Sequence, residues 1–133
     1  ISLHAPTDAK RGEIMPVNAA YPIRDLVEAC AAYQQTTGRR VSYEYAVMPG
    51  FNDSAADADA LARLLKKSRA HIDLIPLNPV ANSSQAGAAD TDVRKFQTRL
   101  IGLGMNVTVR RRLGADIEAA CGQLRKAEEG EYP

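Results

Sequence analysis

The sequence contains no tryptophan and two phenylalanines, and aromatic residues make up only 5% of its 133 positions. It also lacks any apolar run near the roughly 18 residues that a membrane-spanning helix needs, so we expect no membrane-embedded helix. Hydrophobic residues account for 45% and charged residues for 25% of the chain, which is the composition of a folded domain rather than a disordered segment. At this length we expect about one domain.

Cysteine and histidine are also scarce, with two residues of each. Cys30 and Cys121 are too few for the disulfide framework of a small secreted protein, so we expect a reducing, cytoplasmic environment. His4 and His71 stand at no metal-ligand spacing to each other or to the cysteines. The residues therefore predict no zinc site of their own.

The net charge of +1 indicates no particular class of partner, but the charge is unevenly distributed. Residues 94–126 hold eight basic and two acidic side chains, and residues 127–133 form an acidic tail. A basic segment of this kind suits an anionic partner. Within it, Arg110, Arg111 and Arg112 are candidates for phosphate contact, although solubilising charges at a sheet edge would give the same pattern.

The spacing of apolar residues predicts strands that alternate with helices. The predicted strands are residues 2–5, 41–48, 71–75 and 105–111, and the predicted helices are 23–38, 54–68, 90–102 and 117–124. Between them, residues 6–22 are predicted to form a turn-rich connection, and residues 77–89 a loop. About four strands with intervening helices predict a parallel α/β sheet, either a small open sheet or part of a (βα) barrel.

In such a sheet the functional site lies at the carboxyl ends of the strands. We therefore expect convergence of His4, residues 48–52, Asn78 and residues 112–114. The same residues also fit plainer interpretations, because His4 could be a surface histidine and Asn78 a turn residue.

Two further residues have open interpretations. Glu44 lies in the middle of a predicted strand, where it faces solvent in an open sheet and a site in a barrel. Cys121 lies on the apolar side of the predicted last helix, which favours a buried, inert thiol. A helix carboxyl terminus would not lower the pKa of that thiol, so any activation has to come from nearby cations or from a cofactor.

Five blocks of sequence resemble one known family, in order and with matching spacing. The blocks are ISLHAP at residues 1–6, RGEIMPVN at 11–18, VSYEY at 41–45, LIPLNP at 74–79 and GADIEAACGQL at 114–124. The family is the radical S-adenosylmethionine (SAM) adenine-C2 RNA methyltransferases of the RlmN/Cfr group. The resemblance runs from residue 1 to about residue 126, and its last block is the most specific.

The resemblance implies that residues 1–126 are the C-terminal portion of an incomplete parallel (βα) radical-SAM barrel, and thus part of a longer protein. Ser2, Leu3 and His4 match the strand end that binds SAM in the family, and Asn78 matches a further contact to this cofactor. Cys121 matches the catalytic cysteine that carries the methyl group.

The resemblance also implies a reaction and its partners. In the family the cysteine accepts a methyl group from one SAM, and a second SAM is cleaved at a [4Fe-4S] cluster to a radical that takes hydrogen from the methylated cysteine. The resulting carbon radical adds to C2 of adenine in 23S ribosomal RNA and transfer RNA. We expect a monomer with no membrane partner.

The sequence departs from the family in one respect. The chain holds only Cys30 and Cys121, so the CxxxCxxC cluster motif and the second catalytic cysteine of the family are absent from it. By the resemblance, we expect the second cysteine and the proposed base of the family upstream of these residues. We therefore expect the cluster ligands upstream of this chain, and no activity from the chain alone. A C8-directed relative of the same group, or a non-catalytic α/β remnant, remains an alternative.

Overall fold

Helices and strands alternate along the computed structural model, which describes residues 1–77 and 88–111. The strands β1, β2 and β3 are adjacent in that order, and both pairings are parallel. The predicted parallel α/β sheet with helices between its strands is therefore confirmed. The elements are α1 (Asp8–Ile14), α2 (Ile23–Thr37), β1 (Ser42–Val47), α3 (Ala55–Leu65), β2 (His71–Pro76), α4 (Asp90–Gly102) and β3 (Asn106–Val109).

The first predicted strand is present only as a short extended segment beside β1. The Leu3 amide donates to the Glu44 carbonyl at 3.0 Å, and the Glu44 amide donates to the Ile1 carbonyl at 2.8 Å. A single parallel bridge joins Ser2 to Glu44. The pairing ends there because His4 adopts a left-handed conformation, with φ of 60°, which turns the chain out of the extended form.

The prediction of a turn-rich connection over residues 6–22 was wrong. This stretch contains α1 and a 3-10 helix, Pro16–Ala19. Helix α1 begins at the N-cap Thr7, whose side chain accepts a hydrogen bond from the Lys10 amide. At seven residues the helix is too short to show an apolar period, which explains why the pattern missed it.

Two helix boundaries follow the signals in the sequence. Gly38 ends α2 in a left-handed conformation, with φ of 69°, and its amide donates to the Gln34 carbonyl. Ser54 and Asp57 form a reciprocal capping box at the start of α3. Both boundaries were predicted. The first lies just before β1, and the second lies after the turn by which the chain leaves β1.

The strands bury alternate residues against the helices, so the core lies on one face of the sheet. From β1, the rings of Tyr43 and Tyr45 are buried, and Tyr45 stacks on Phe96 of α4 with 5.5 Å between ring centroids. Cys30 of α2 is buried in the same core as a free thiol, as predicted. The other face of the sheet carries polar side chains, and this face holds the candidate site. None of the helices within residues 1–77 and 88–111 is long and apolar enough to cross a membrane.

Candidate functional site

One buried side chain, Asn52, joins the carboxyl ends of the first segment and β1. Its Oδ1 accepts a hydrogen bond from the Met48 amide at 2.7 Å, and its Nδ2 donates to the carbonyls of His4 and Ala46 at 2.8 and 2.7 Å. The buried Tyr45 hydroxyl donates to the Asn52 carbonyl at 2.7 Å. The predicted convergence of His4 with residues 48–52 is therefore confirmed.

A tight turn after β1 returns Asn52 to this position. Gly50 has a φ of 72°, a conformation that suits glycine, and its amide donates to Asp53 Oδ1 at 2.9 Å. The amides of Phe51 and Asn52 both donate to the Met48 carbonyl, at 3.1 and 3.3 Å. The Pro-Gly sequence thus shapes a turn whose last residue reaches back under the strand end.

His4 is the only non-glycine residue with positive φ in the described part of the chain. Its Nδ1 accepts a hydrogen bond from the Ala46 amide at 3.0 Å, so a proton on the neutral ring resides on Nε2. Burial is the largest influence on this imidazole and holds its pKa below the usual value, although the nearby Glu44 carboxylate acts in the opposite direction. His4 is therefore a neutral hydrogen-bonding group at neutral pH, held in its unusual conformation by Asn52 and Ala46.

Arg11 of α1 holds the same segment from another side. Its side chain is only 4% exposed, and its guanidinium donates to the carbonyls of Leu3 and Ser2 at 3.2 and 3.3 Å. It also donates to Asn18 Oδ1 at 2.9 Å, and Asn18 in turn donates to Asp8 Oδ1 at 3.0 Å. Because a buried cation requires hydrogen-bond partners, this network fixes α1 and the first segment relative to each other.

The polar face of the sheet carries a row of ionic contacts near the middle of β1 and β2. Ser2 Oγ donates to Glu44 Oε2 at 3.3 Å, and Arg110 donates to Glu44 Oε1 and, at 2.7 Å, to Asp73 Oδ2. The hydrogen bond from Arg110 is the largest influence on Glu44 and holds the pKa of this carboxyl below its usual value. Glu44 thus lies on the face that the helices leave uncovered, which agrees both with a solvent-facing residue of an open sheet and with a residue that faces a site in a barrel.

The structure brings together some of the predicted site residues and leaves others outside its description. Ser2, Leu3 and His4 lie side by side, but the Leu3 side chain is buried in the core, so only its backbone could face a ligand. Asn78, Arg112 and Cys121, together with the predicted last helix and the acidic tail, lie outside the described residues.

The arginines that the sequence predicted as RNA contacts begin at the end of β3. Arg110 is already paired with two carboxylates, whereas Arg111 is exposed. Both line a cavity of about 610 Å³ together with Pro76 and Val109 at the carboxyl ends of β2 and β3 and with Val93 and other residues of α4. The cavity shows that there is space beside these strand ends.

Three polar residues of the site carried no role in the sequence analysis, namely Arg11, Asn18 and Asn52. Arg11 and Asn18 belong to the block at residues 11–18, which carried the resemblance without assigning them a task. Asn52 follows a Pro-Gly turn and was predicted only as part of that turn. Their partners are mostly backbone groups, which leave no pattern in the sequence.

The described residues fit one implied cofactor better than the other. Within residues 1–77 and 88–111 no three His, Cys, Asp or Glu side chains are grouped as metal ligands, and Cys30 is buried in the core. These residues therefore do not fit an iron–sulfur cluster. The Ser2 hydroxyl and the Glu44 carboxylate are polar groups on the uncovered face of the sheet, of the chemical kind that the amino-acid and ribose parts of SAM can hydrogen-bond.

Comparison with known proteins gives close matches to one named group, although no family model matches the sequence. Proteins named probable dual-specificity RNA methyltransferase RlmN from Lachnoclostridium phytofermentans, Desulforamulus reducens and Pelotomaculum thermopropionicum are 47%, 48% and 50% identical to it. The matches cover 96%, 97% and 95% of this chain but 36%, 37% and 34% of those proteins. The chain thus spans little more than a third of the length of the relatives it matches.

Solved structures agree with the sequence matches. A radical SAM methyltransferase from Sphaerobacter thermophilus superposes with a TM-score of 0.87 at 45% identity, covering 92% of this chain and 36% of that one. A domain of a pyruvate-formate lyase-activating enzyme from Bacteroides vulgatus shares the fold, with a TM-score of 0.64 at 12% identity over 84% of this chain and 65% of that one. Over nearly its whole length, this chain is therefore similar in sequence and in fold to one part of the RlmN group of radical SAM methyltransferases.

Proposed function

We propose that this chain is part of a longer radical SAM enzyme that methylates C2 of adenine in 23S ribosomal RNA and transfer RNA. The observation that carries the proposal is identity of 43–50% over at least 95% of the chain to proteins named as RNA methyltransferases. The cofactors would be SAM and a [4Fe-4S] cluster whose ligands lie outside this sequence. The enzyme would act as a cytoplasmic monomer.

The strand end at Ser2, Leu3 and His4 would bind SAM, with Asn78 as a further contact. When bound, SAM supplies the methyl group and, with the cluster, the radical chemistry. The contribution of this chain is position, because Asn52 and Arg11 hold the strand end by its carbonyls. His4, with its lowered pKa, would act as a neutral hydrogen-bonding group rather than as a proton donor.

Cys121 would be the catalytic residue that carries the methyl group. Adenine C2 is not nucleophilic, so direct polar transfer of a methyl group to it is unfavourable. A one-carbon unit held on a protein sulfur beside the base gains the advantage of an intramolecular reaction. This role would give Cys121 a chemical task, whereas Cys30 is buried in the core.

The test is the substitution Cys121→Ala in the full-length enzyme with its cluster reconstituted. We expect loss of detectable methylation of a 23S ribosomal RNA fragment, measured by mass spectrometry of the digested nucleosides. The matched control is Cys30→Ala, which removes the other thiol from the core and should leave methylation intact. Methylation by Cys121→Ala at the wild-type rate would contradict the carrier role.

The same assay separates the alternatives. Methyl groups at C8 rather than C2 would identify the C8-directed relative. A gene that encodes no CxxxCxxC motif upstream of this chain would favour the non-catalytic remnant, which lacks the iron–sulfur domain. Contact with RNA by Arg110, Arg111 and Arg112 remains part of the proposal. The pairing of Arg110 with Glu44 and Asp73 shifts the expected phosphate contact toward its neighbours.

A further inference from the structure

A basic groove lies at the amino ends of β1 and β2, at the opposite end of the sheet from Asn52. Gly38 ends α2 and leads directly into Arg39 and Arg40, and the turn between α3 and β2 contributes Lys67 and Arg69. We call this surface the basic groove; it encloses about 610 Å³ and is lined mainly by Gln34, Gln35, Arg39, Arg40, Lys67 and Arg69.

The cations of the basic groove differ from several other exposed cations of the molecule, which are paired. Arg24, Lys95 and Arg99 each form an ion pair with an acidic side chain. The four cations of the basic groove form no ion pair with any described residue, and no aspartate or glutamate occurs at positions 36–42 or 66–70. The groove is therefore a surface of uncompensated positive charge.

The groove is too far from the strand-end site to be part of it. Strands β1 and β2 are six residues long, and at roughly 3.3 Å per residue they separate the two ends by about 17–20 Å. A ligand the size of one nucleotide cannot occupy both places. Only an extended partner could contact the groove and the strand ends at the same time.

We propose that the basic groove binds the phosphate backbone of the RNA substrate, at a segment remote from the methylated base. This inference rests on the proposed function, which supplies RNA as the substrate. Its own support is the way the positive charges are distributed. The exposed cations come from two segments of the chain, so they suit a row of phosphates rather than a single phosphate. Gln34 of the groove wall has a buried side-chain nitrogen that donates to no described residue.

The test is a triple variant of the full-length enzyme, Arg39→Gln, Arg40→Gln and Lys67→Gln. The probe is a 23S ribosomal RNA fragment, and the readout is its Kd as a function of salt concentration. If each cation neutralises one phosphate, the slope of log Kd against log salt should fall by about 2–3, and Kd near 0.15 M salt should rise by about 10- to 100-fold.

The matched control removes three exposed cations elsewhere, in the variant Arg24→Gln, Arg63→Gln and Lys95→Gln. Both variants lose the same charge, so a general electrostatic effect would move them equally. A groove-specific effect should move only the first. Equal Kd values and equal slopes in the two variants would overturn the proposal.

Two further measurements separate this inference from the proposed function. In the proposed reaction the transfer of a methyl group from SAM to Cys121 involves no RNA atom, so the groove variant should perform this transfer at the wild-type rate. A hairpin of a few base pairs that carries only the target adenine should bind the groove variant and the control equally, because it cannot reach the groove. If the wild-type enzyme methylates RNA and the groove variant binds the long fragment normally, the inference is refuted and the proposed function stands. If the wild-type enzyme binds no RNA, both are refuted.

Discussion

The two ends of the same sheet use polar residues in opposite ways. At the carboxyl ends of the strands, the side chains of Asn52 and Arg11 are buried and hydrogen-bonded to backbone carbonyls. At the amino ends, the cations of the basic groove are exposed and form no ion pair with a described residue. A buried network fixes geometry over a few ångströms, whereas exposed charge acts over the roughly 8 Å of the Debye length at physiological salt.

This contrast separates stability from recognition. A buried polar group that loses its partner costs the free energy of its desolvation, so the carboxyl end should be sensitive to single substitutions. Exposed charges contribute little to folding, so the amino end should tolerate substitution and respond only when an anionic partner binds. Three stability measurements test the contrast.

The largest effect is expected for Asn52→Leu, which keeps the volume of the side chain but removes all three of its hydrogen bonds. The Met48 amide and the carbonyls of His4 and Ala46 would then be left without that partner. At about 1–3 kcal/mol for each unsatisfied group, we expect the free energy of unfolding to fall by about 3 kcal/mol or more. Urea denaturation measures this change.

The control for Asn52→Leu is Asn106→Leu, at the exposed start of β3. It should change the free energy of unfolding by less than about 0.5 kcal/mol. If the two variants unfold at the same urea concentration, the Asn52 network does not stabilise the strand ends.

An intermediate effect is expected for Asp57→Asn at the start of α3. Burial alone would raise the pKa of Asp57, but hydrogen bonds from Lys10 at 2.6 Å and from Ser54 outweigh it and hold the pKa below its usual value. Because the folded pKa is the lower one, its stabilising contribution is complete above the unfolded value and is lost as the pH falls through the folded value. The substitution should cost about 1–3 kcal/mol at neutral pH.

The measurement is the free energy of unfolding between pH 2 and 7. The curve of Asp57→Asn should be flatter at its acid end than that of the wild type. Asp25→Asn, an exposed position in the first turn of α2, is the control and should keep the acid dependence of the wild type. An unchanged acid limb in Asp57→Asn would show that Asp57 does not contribute to it.

The smallest effect on stability is expected for the triple glutamine variant of the basic groove. Its three side chains are exposed and form no ion pair with described residues, so the free energy of unfolding should change by less than about 0.5 kcal/mol. Thermal unfolding beside the Arg24, Arg63 and Lys95 control measures this. A loss above about 1 kcal/mol would mean that these cations serve the fold rather than a partner.

The sequence predicted the frame of the site better than its interior. Parallel topology follows from the order of apolar patterns, and it correctly brought His4 to residues 48–52 because strand ends share an edge. The roles of Asn52 and Arg11 could not be predicted, because both side chains bind backbone carbonyls of the first segment. That segment lies more than 40 residues before Asn52 and about nine residues before Arg11. The short helix α1 was missed for want of a visible period, and the roles of Asn78 and Cys121 remain predictions.

The reach of Asn52 also has a consequence for how the molecule folds. Its contact with His4 closes a loop of 48 residues, and it forms beside Tyr45, which is fully buried in the core. Loop closure of this kind is compensated only when the long-range core contacts form with it. We therefore expect the strand-end site to form cooperatively with the core, so that a destabilising change in that core also raises the fraction of molecules in which the strand-end site is open.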